Sequence, residues 1–181
     1  MIHNLLQNSE VTGRCDLMPE KGWRFIVSEV RAILKHSVPF NEFDDHILNR
    51  FIAEAREQHF SAGEVLYHEL SEGDQIYLIL EGEIRISVEL ASAHHMAEDI
   101  EGRQGELVGE GCFVAEGRRP ATVTATSDLK TLVWNASSWK EIAREHPEVG
   151  YRLAVYAGQV LFSRVEKLRD HLINDISWGI D

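Results

Sequence analysis

The sequence predicts a mainly β fold with flanking helices: an antiparallel barrel or jelly roll preceded by two helices and followed by a long one. Three observations carry this. Between Glu64 and Asn135 apolar residues recur with a period of two, in short runs rich in Val, Ile, Tyr and Thr. Those runs are divided by "SEGD", "EGE" and "EGRQGELVGEG" at spacings too short for βαβ units. On either side of them the period returns to about 3.6.

Taken in order, residues 1–20 are polar and unpatterned and read as a mobile N-terminal arm. From Trp23, "WRFIVSEVRAILKHSVPF" sets Phe25, Ile26, Val30, Ile33 and Leu34 at helical spacing until Pro39 stops it, so residues 21–37 read as one amphipathic helix. In "NEFDDHILNRFIAEAREQHF", Phe43, Ile47, Leu48, Phe51, Ile52 and Ala55 form a second apolar face, ended by "SAG". The strands follow as "EVLYHEL", "DQIYLIL", "EIRISVEL", "ATVTAT" and "LKTLVWN". Helical pattern resumes at "SSWKEIAREH", with Ser137 as N-cap, and continues past Pro147 to Ile176. There Leu153, Tyr156, Val160, Leu161, Val165, Leu168 and Leu172 make a stripe that reads as packing against the body, and second as a homodimer contact.

The 181 residues, 44% hydrophobic, suffice for one domain of ordinary size. Thirty Asp+Glu against eighteen Lys+Arg give a net charge of -12 without a basic stripe, which argues against nucleic acid as a partner. Cys15 and Cys112 have no CxxC partner, so neither disulfides nor a zinc knuckle is expected and a reducing cytoplasm fits. No export signal and no apolar run of membrane-spanning length is visible.

The chemistry concentrates in "VGEGCFVAEGRRPATVTA". On so acidic a chain an anion site must be built locally, and Arg119 offers the rigid donor fork that suits phosphate oxygens. Gly109 and Gly111 let the backbone approach a ligand closely. Glu110, an acceptor at neutral pH, repels phosphate and suits a hydroxyl. The pair therefore describes a ligand with a sugar hydroxyl on one side and a phosphate on the other.

With "SAGEVLYHELSEGDQIYLILEGEIRIS" before it, and "VGE" followed nine residues on by "RPATVTA", the chain resembles the cyclic-nucleotide-binding domain of catabolite-activator-type regulators, cyclic-nucleotide-dependent kinases and gated channels. The resemblance covers residues 38–181 and implies an eight-stranded β-roll (a jelly roll, or double-stranded β-helix) flanked by helices. It implies that Glu110 holds the ribose 2′-hydroxyl and that Arg119 pairs with the cyclic phosphate. Gly109, Gly111, Cys112, Pro120, Ala121 and Thr122 complete the cassette, and Gly63, Gly73 and Gly82 match turn glycines. Two positions depart from the family. Gly111-Cys112-Phe113 replaces Leu/Ile-Ala-Leu, and Pro120 replaces a small residue whose N–H, and sometimes hydroxyl, touches the phosphate. One such bond is worth about 1.5–3 kcal/mol, roughly a ten- to hundred-fold in affinity. The absent hydroxyl leaves cAMP favoured over cGMP.

Arg118 reads as a solvated neighbour and Cys112 as a small packing residue rather than a nucleophile. His94-His95 lie in a hairpin loop where adjacent side chains diverge. A cupin-like metalloenzyme would need ligands where Leu70 and Gln75 stand, leaving His68 alone. Tyr151, Tyr156, Phe162 and Trp178 are candidates to stack on a purine. The expectation is a non-catalytic cyclic-nucleotide sensor signalling to a protein partner, with no metal, no nucleic acid and no membrane. The alternative is a degenerate module of the same fold that acts through protein contacts alone.

Overall fold

Helix α1 (Glu20–His36) turns Val30 and Leu34 inward, and both are buried in the main apolar core. The structure, a computed structural model, describes residues 20–88, 100–115 and 117–177. After a 3-10 turn (Phe40–Glu42) comes α2 (Asp45–Glu54), whose first turn is capped by the Asp44 carboxylate accepting from the Ile47 N–H at 2.9 Å. Then follow β1 (Arg56–Phe60), β2 (Val65–Tyr67), β3 (Gln75–Glu81), β4 (Ile84–Ser87), β5 (Ile100–Gly102) and β6 (Leu107–Val108). The short α3 (Gly111–Val114), β7 (Thr122–Ala125), β8 (Leu129–Asn135), α4 (Ala136–Glu145) and α5 (Pro147–Ser177) complete the described order.

The eight described strands form two antiparallel four-stranded sheets, ordered β1-β8-β3-β6 and β2-β7-β4-β5, which make a β-roll. Strands β3 and β8 are buried on both faces, which explains their nearly continuous apolar runs. Ile76, Leu78, Leu80, Leu132 and Trp134 face the helices, while Tyr77, Ile79, Leu129 and Val133 face the roll interior with Ile84 and Val123. Under the helices Trp139 meets Phe40 and Phe51 edge-on at 5.8 and 5.5 Å.

Four details differ from the sequence reading. The second helix does not reach Phe60: it stops at Glu54, and "REQHF" pairs with β8 from Arg56↔Val133 to Phe60↔Leu129. Helix-forming side chains there yield to the ladder offered by a buried strand. Two short strands interrupt the glycine-bearing stretch that reads as a separator: β5 runs into its start from Ile100, and β6 lies inside it. The N-cap of α4 is Asn135 rather than Ser137. In α5 the stripe splits: Leu153 is buried, but Leu161 and Val165 are exposed.

One strained residue bears on the site. Leu70 has φ of 61°, a region costly for a side chain with Cβ, and is 63% exposed. Its N–H donates to the Arg119 carbonyl at 2.8 Å, and the Arg119 N–H donates to the Ser71 carbonyl at 2.9 Å. The strain is thus spent holding the backbone of Arg119. Leu70→Gly is expected to raise stability by about 0.5–1 kcal/mol, the relief of strain less glycine's extra unfolded-state freedom. Chemical denaturation checks it, with a fall in stability as the contrary result.

Candidate functional site

A cavity of about 260 Å³ opens between the β6–α3 turn, the start of the β7 segment and the middle of α5. Gly109, Glu110, Gly111, Cys112, Arg119 and Pro120 all line it. Ala121 and Thr122 do not: Ala121 is buried, and the Thr122 hydroxyl accepts from the Glu69 N–H at 2.9 Å. A broader, open groove of about 580 Å³ adjoins across Gly73, Cys112 and Arg118 but reaches neither Glu110 nor Arg119.

Arg119 is only 5% exposed. Its Nη2 donates to the Gln75 carbonyl at 2.8 Å, and its guanidinium lies 4.2 Å from the centre of the Tyr67 ring. The fork is therefore fixed from behind by β3 and from one face by β2. Gly73 matches a turn glycine, but its use here is close approach: a Cβ would stand 3.1 Å from Arg119 Nη2.

Glu110 is 3% exposed, and such a carboxylate needs a counter-charge. Its partner is not Arg119 but Arg164 of α5, whose Nη1 donates to Oε1 at 3.1 Å. The other oxygen, Oε2, is buried without a hydrogen-bond partner, as is Nε of Arg119. The residues lining the cavity thus bring together a carboxylate and a guanidinium, each with one atom buried without a partner, as Arg31 Nε and Trp139 Nε1 are elsewhere. Buried polar atoms are rarely left so, and such a pair suits a ligand that donates a hydroxyl and accepts through an oxyanion.

Cys112 is half-buried, its Sγ donating to the Gly109 carbonyl at 2.8 Å, and burial pushes its thiol above the ordinary value. It serves as a packing residue of α3 and is not an activated nucleophile. Burial, followed by the Glu110 carboxylate, likewise raises the Tyr67 phenol, and pushes Tyr156 up to about 12. Both stay neutral, which keeps added negative charge away from Glu110.

The proposed purine-stacking aromatics do not line the cavity. Tyr151 and Phe162 are exposed on the outer face of α5, Tyr156 packs against the main core, and Trp178 lies outside the described residues. The helix instead presents Ala157, Leu161 and Arg164, one face at four- and three-residue spacing. Sequence reasoning missed Tyr67 and Arg164. A signal for Arg164 was present: it falls on the α5 face continuous with buried Leu153 and Ala157, where a charge needs a partner. His94 and His95 lie outside the described residues, and among the described ones no three His, Cys, Asp or Glu side chains converge. No described helix is long and apolar enough to cross a membrane.

Comparison with known proteins agrees with this fold. Over 107 residues, 59% of this chain, the sequence is 35% identical to lysophospholipase nte1 of Neosartorya fischeri, and the match spans only 7% of that protein's length. The regulatory domain of Toxoplasma gondii PKA, solved with cAMP, shares the fold at TM-score 0.60 and 23% identity, over 69% of this chain and 46% of that one. A cyclic nucleotide-binding domain from Methylobacillus flagellatus KT shares it at TM-score 0.69 and 17% identity, over 83% and 84%. The family model for the cyclic nucleotide-binding domain matches residues 57–146, the span that holds both sheets, Glu110 and Arg119. Through those residues the chain belongs to the cyclic nucleotide-binding domain family.

Proposed function

We propose that this chain is a non-catalytic cyclic-nucleotide sensor, favouring cAMP over cGMP, that signals to a protein partner through α5. The observation that carries it is the placing of Glu110 and Arg119, a buried carboxylate and a buried guanidinium, on one cavity under that helix. Glu110 accepts from the ribose hydroxyl and Arg119 faces the phosphate. The preference for cAMP rests on Pro120, which brings no hydroxyl to the site. A ligand that bridges the β-roll and α5 shifts the helix only as far as it binds its two positions unequally.

The partner surface we assign to the outer face of α5, where Tyr151, Val155, Phe162 and Val165 are exposed at three- and four-residue spacing. A second copy of this chain is one such partner.

A second reading is favoured by one feature of the same site. The Arg119 guanidinium is already engaged by Gln75 and Tyr67, and Pro120 supplies no N–H. A module of this kind binds no nucleotide and works through protein contacts alone.

Thermal melting with millimolar cAMP, cGMP and 5′-AMP separates the two. A cAMP-dependent rise larger than that with cGMP, and none with 5′-AMP, is expected. No rise with either cyclic nucleotide establishes the second reading. Sedimentation of the same samples reads the partner arm: self-association that changes with cAMP supports signalling through a second copy, and a monomer throughout assigns the face to another protein.

A further inference from the structure

We infer that the Tyr67 hydroxyl is a ligand group of this site: it donates to the cyclic phosphate and takes the place of the backbone N–H that Pro120 lacks. This rests on the reading that a cyclic nucleotide occupies the cavity, and it adds a phosphate donor from outside the stretch that holds Glu110 and Arg119.

Strand β2 brings Tyr67 there. Its ladder with β7 pairs Val65 with Thr124 and Tyr67 with Val123, and the register shifts between the two pairs. A shift of this kind re-aims a side chain. Tyr67 so stands beside the segment that leads from Arg119 and Pro120 into β7, and all three residues line the same cavity. The Arg119 guanidinium lies 4.2 Å from the ring centre, and the ring is backed by Tyr77 at 6.0 Å, itself 6.2 Å from Phe60. The ring is thus set before any ligand arrives.

That stack needs only a ring, which phenylalanine would supply, so the oxygen calls for its own explanation. Tyr77 shows the ordinary case: its hydroxyl donates to Gln75 Oε1 at 2.6 Å. The Tyr67 hydroxyl has no hydrogen-bond partner among the described residues, and it is not sealed in as Glu110 Oε2 and Arg119 Nε are. It is an open polar group on a cavity whose charged residues are Glu110, Arg118, Arg119 and Arg164. Burial, and after it the Glu110 carboxylate, raise the phenol above its ordinary range, so it keeps its proton and stays a donor. A donor beside a guanidinium suits an oxyanion. Glu110 Oε2, an acceptor, is left for the ligand's hydroxyl. Pro120 offers that oxyanion no N–H, and the missing donor is supplied from β2 instead.

The test titrates cAMP and its two phosphorothioate diastereomers into the full chain and its Tyr67→Phe, Pro120→Ala and doubly substituted variants, each first shown to melt cooperatively. Sulfur in place of one phosphate oxygen accepts a hydrogen bond poorly, so the ratio of the two diastereomers reads bonds to that group, and a merely structural loss leaves it unchanged. Tyr67→Phe keeps the ring over Arg119 and is expected to lower cAMP affinity roughly ten- to hundred-fold, the value of one hydrogen bond to a charged acceptor. The diastereomer ratio is expected to change with it by about threefold or more. In the Pro120→Ala background, where an N–H is regained, the same Tyr67→Phe change is expected to lower affinity by less than about threefold. Unchanged cAMP affinity in Tyr67→Phe overturns the inference, as does a loss that leaves the ratio unchanged, which would make the phenol a support of the Arg119 stack. An equal loss in both backgrounds overturns the exchange with Pro120. Silence of the original chain toward cAMP instead overturns the nucleotide reading, and the phosphate contact falls with it.

Discussion

Arg119→Ala is expected to lower cAMP affinity by roughly a hundred- to several-thousand-fold. The side chain is 5% exposed and its fork is pre-set by Gln75 and Tyr67, so the free protein has already met most of the cost of ordering it. Removing one partner of a desolvated charge pair costs about 3–5 kcal/mol, and each 1.4 kcal/mol is tenfold in affinity. Arg119→Lys is expected to recover little, because an ammonium has neither the planar fork nor the stacking surface. The same change must also be read for stability. Alanine strips the Gln75 carbonyl of its donor and uncovers the Tyr67 ring, a cost of about 1–3 kcal/mol. Titration and chemical denaturation on one preparation separate the two effects. Affinity retained in a folded Arg119→Ala protein would assign the phosphate elsewhere, with exposed Arg118 on the cavity wall as the next candidate.

The β-roll was legible because its information is local. Period-two runs divided by glycines mark strands whatever they pair with, and β3 and β8 announce by their unbroken apolar character that both faces are covered. Strand β1 was not legible, since "REQHF" becomes a strand only because β8 offers it a ladder. The site divides along the same line. Glu110 and Arg119 share one stretch of chain, and their chemistry can be paired on the page before any fold is known. Tyr67 and Arg164 come from β2 and α5, and nothing in their own surroundings names the residue each will meet. The α5 stripe shows the cost of this: a periodic run of apolar residues does not say which are covered. Leu153 is buried while Leu161 lies on the cavity rim.

Gly109→Ala and Gly111→Ala, two residues apart on the same cavity wall, are expected to behave oppositely. Gly109 has φ of 79°, and a Cβ there would fall 2.5 Å from the Gln75 carbonyl oxygen and 2.6 Å from Arg119 Nη1. A methyl group would thus wedge between β3 and the guanidinium that it holds. The left-handed backbone costs about 1–2 kcal/mol and the overpacking about 1–3 kcal/mol, so a loss of stability of about 2–5 kcal/mol is expected, with Arg119 displaced and Glu110 turned beside it. Gly111 starts α3, and a Cβ there meets nothing within 4 Å. Alanine at 111 is expected to leave stability unchanged or raise it by up to about 1 kcal/mol, the gain in helix propensity. Denaturation of the two variants checks this contrast, and titration with cAMP then gives the second result its meaning. If Gly111→Ala is as stable as the original chain yet loses cAMP, the open space over Gly111 is space that the ligand fills, and the glycine is there for the ligand. If it binds normally, the two glycines serve different ends, and only Gly109 is required, to let the backbone pass between Gln75 and Arg119.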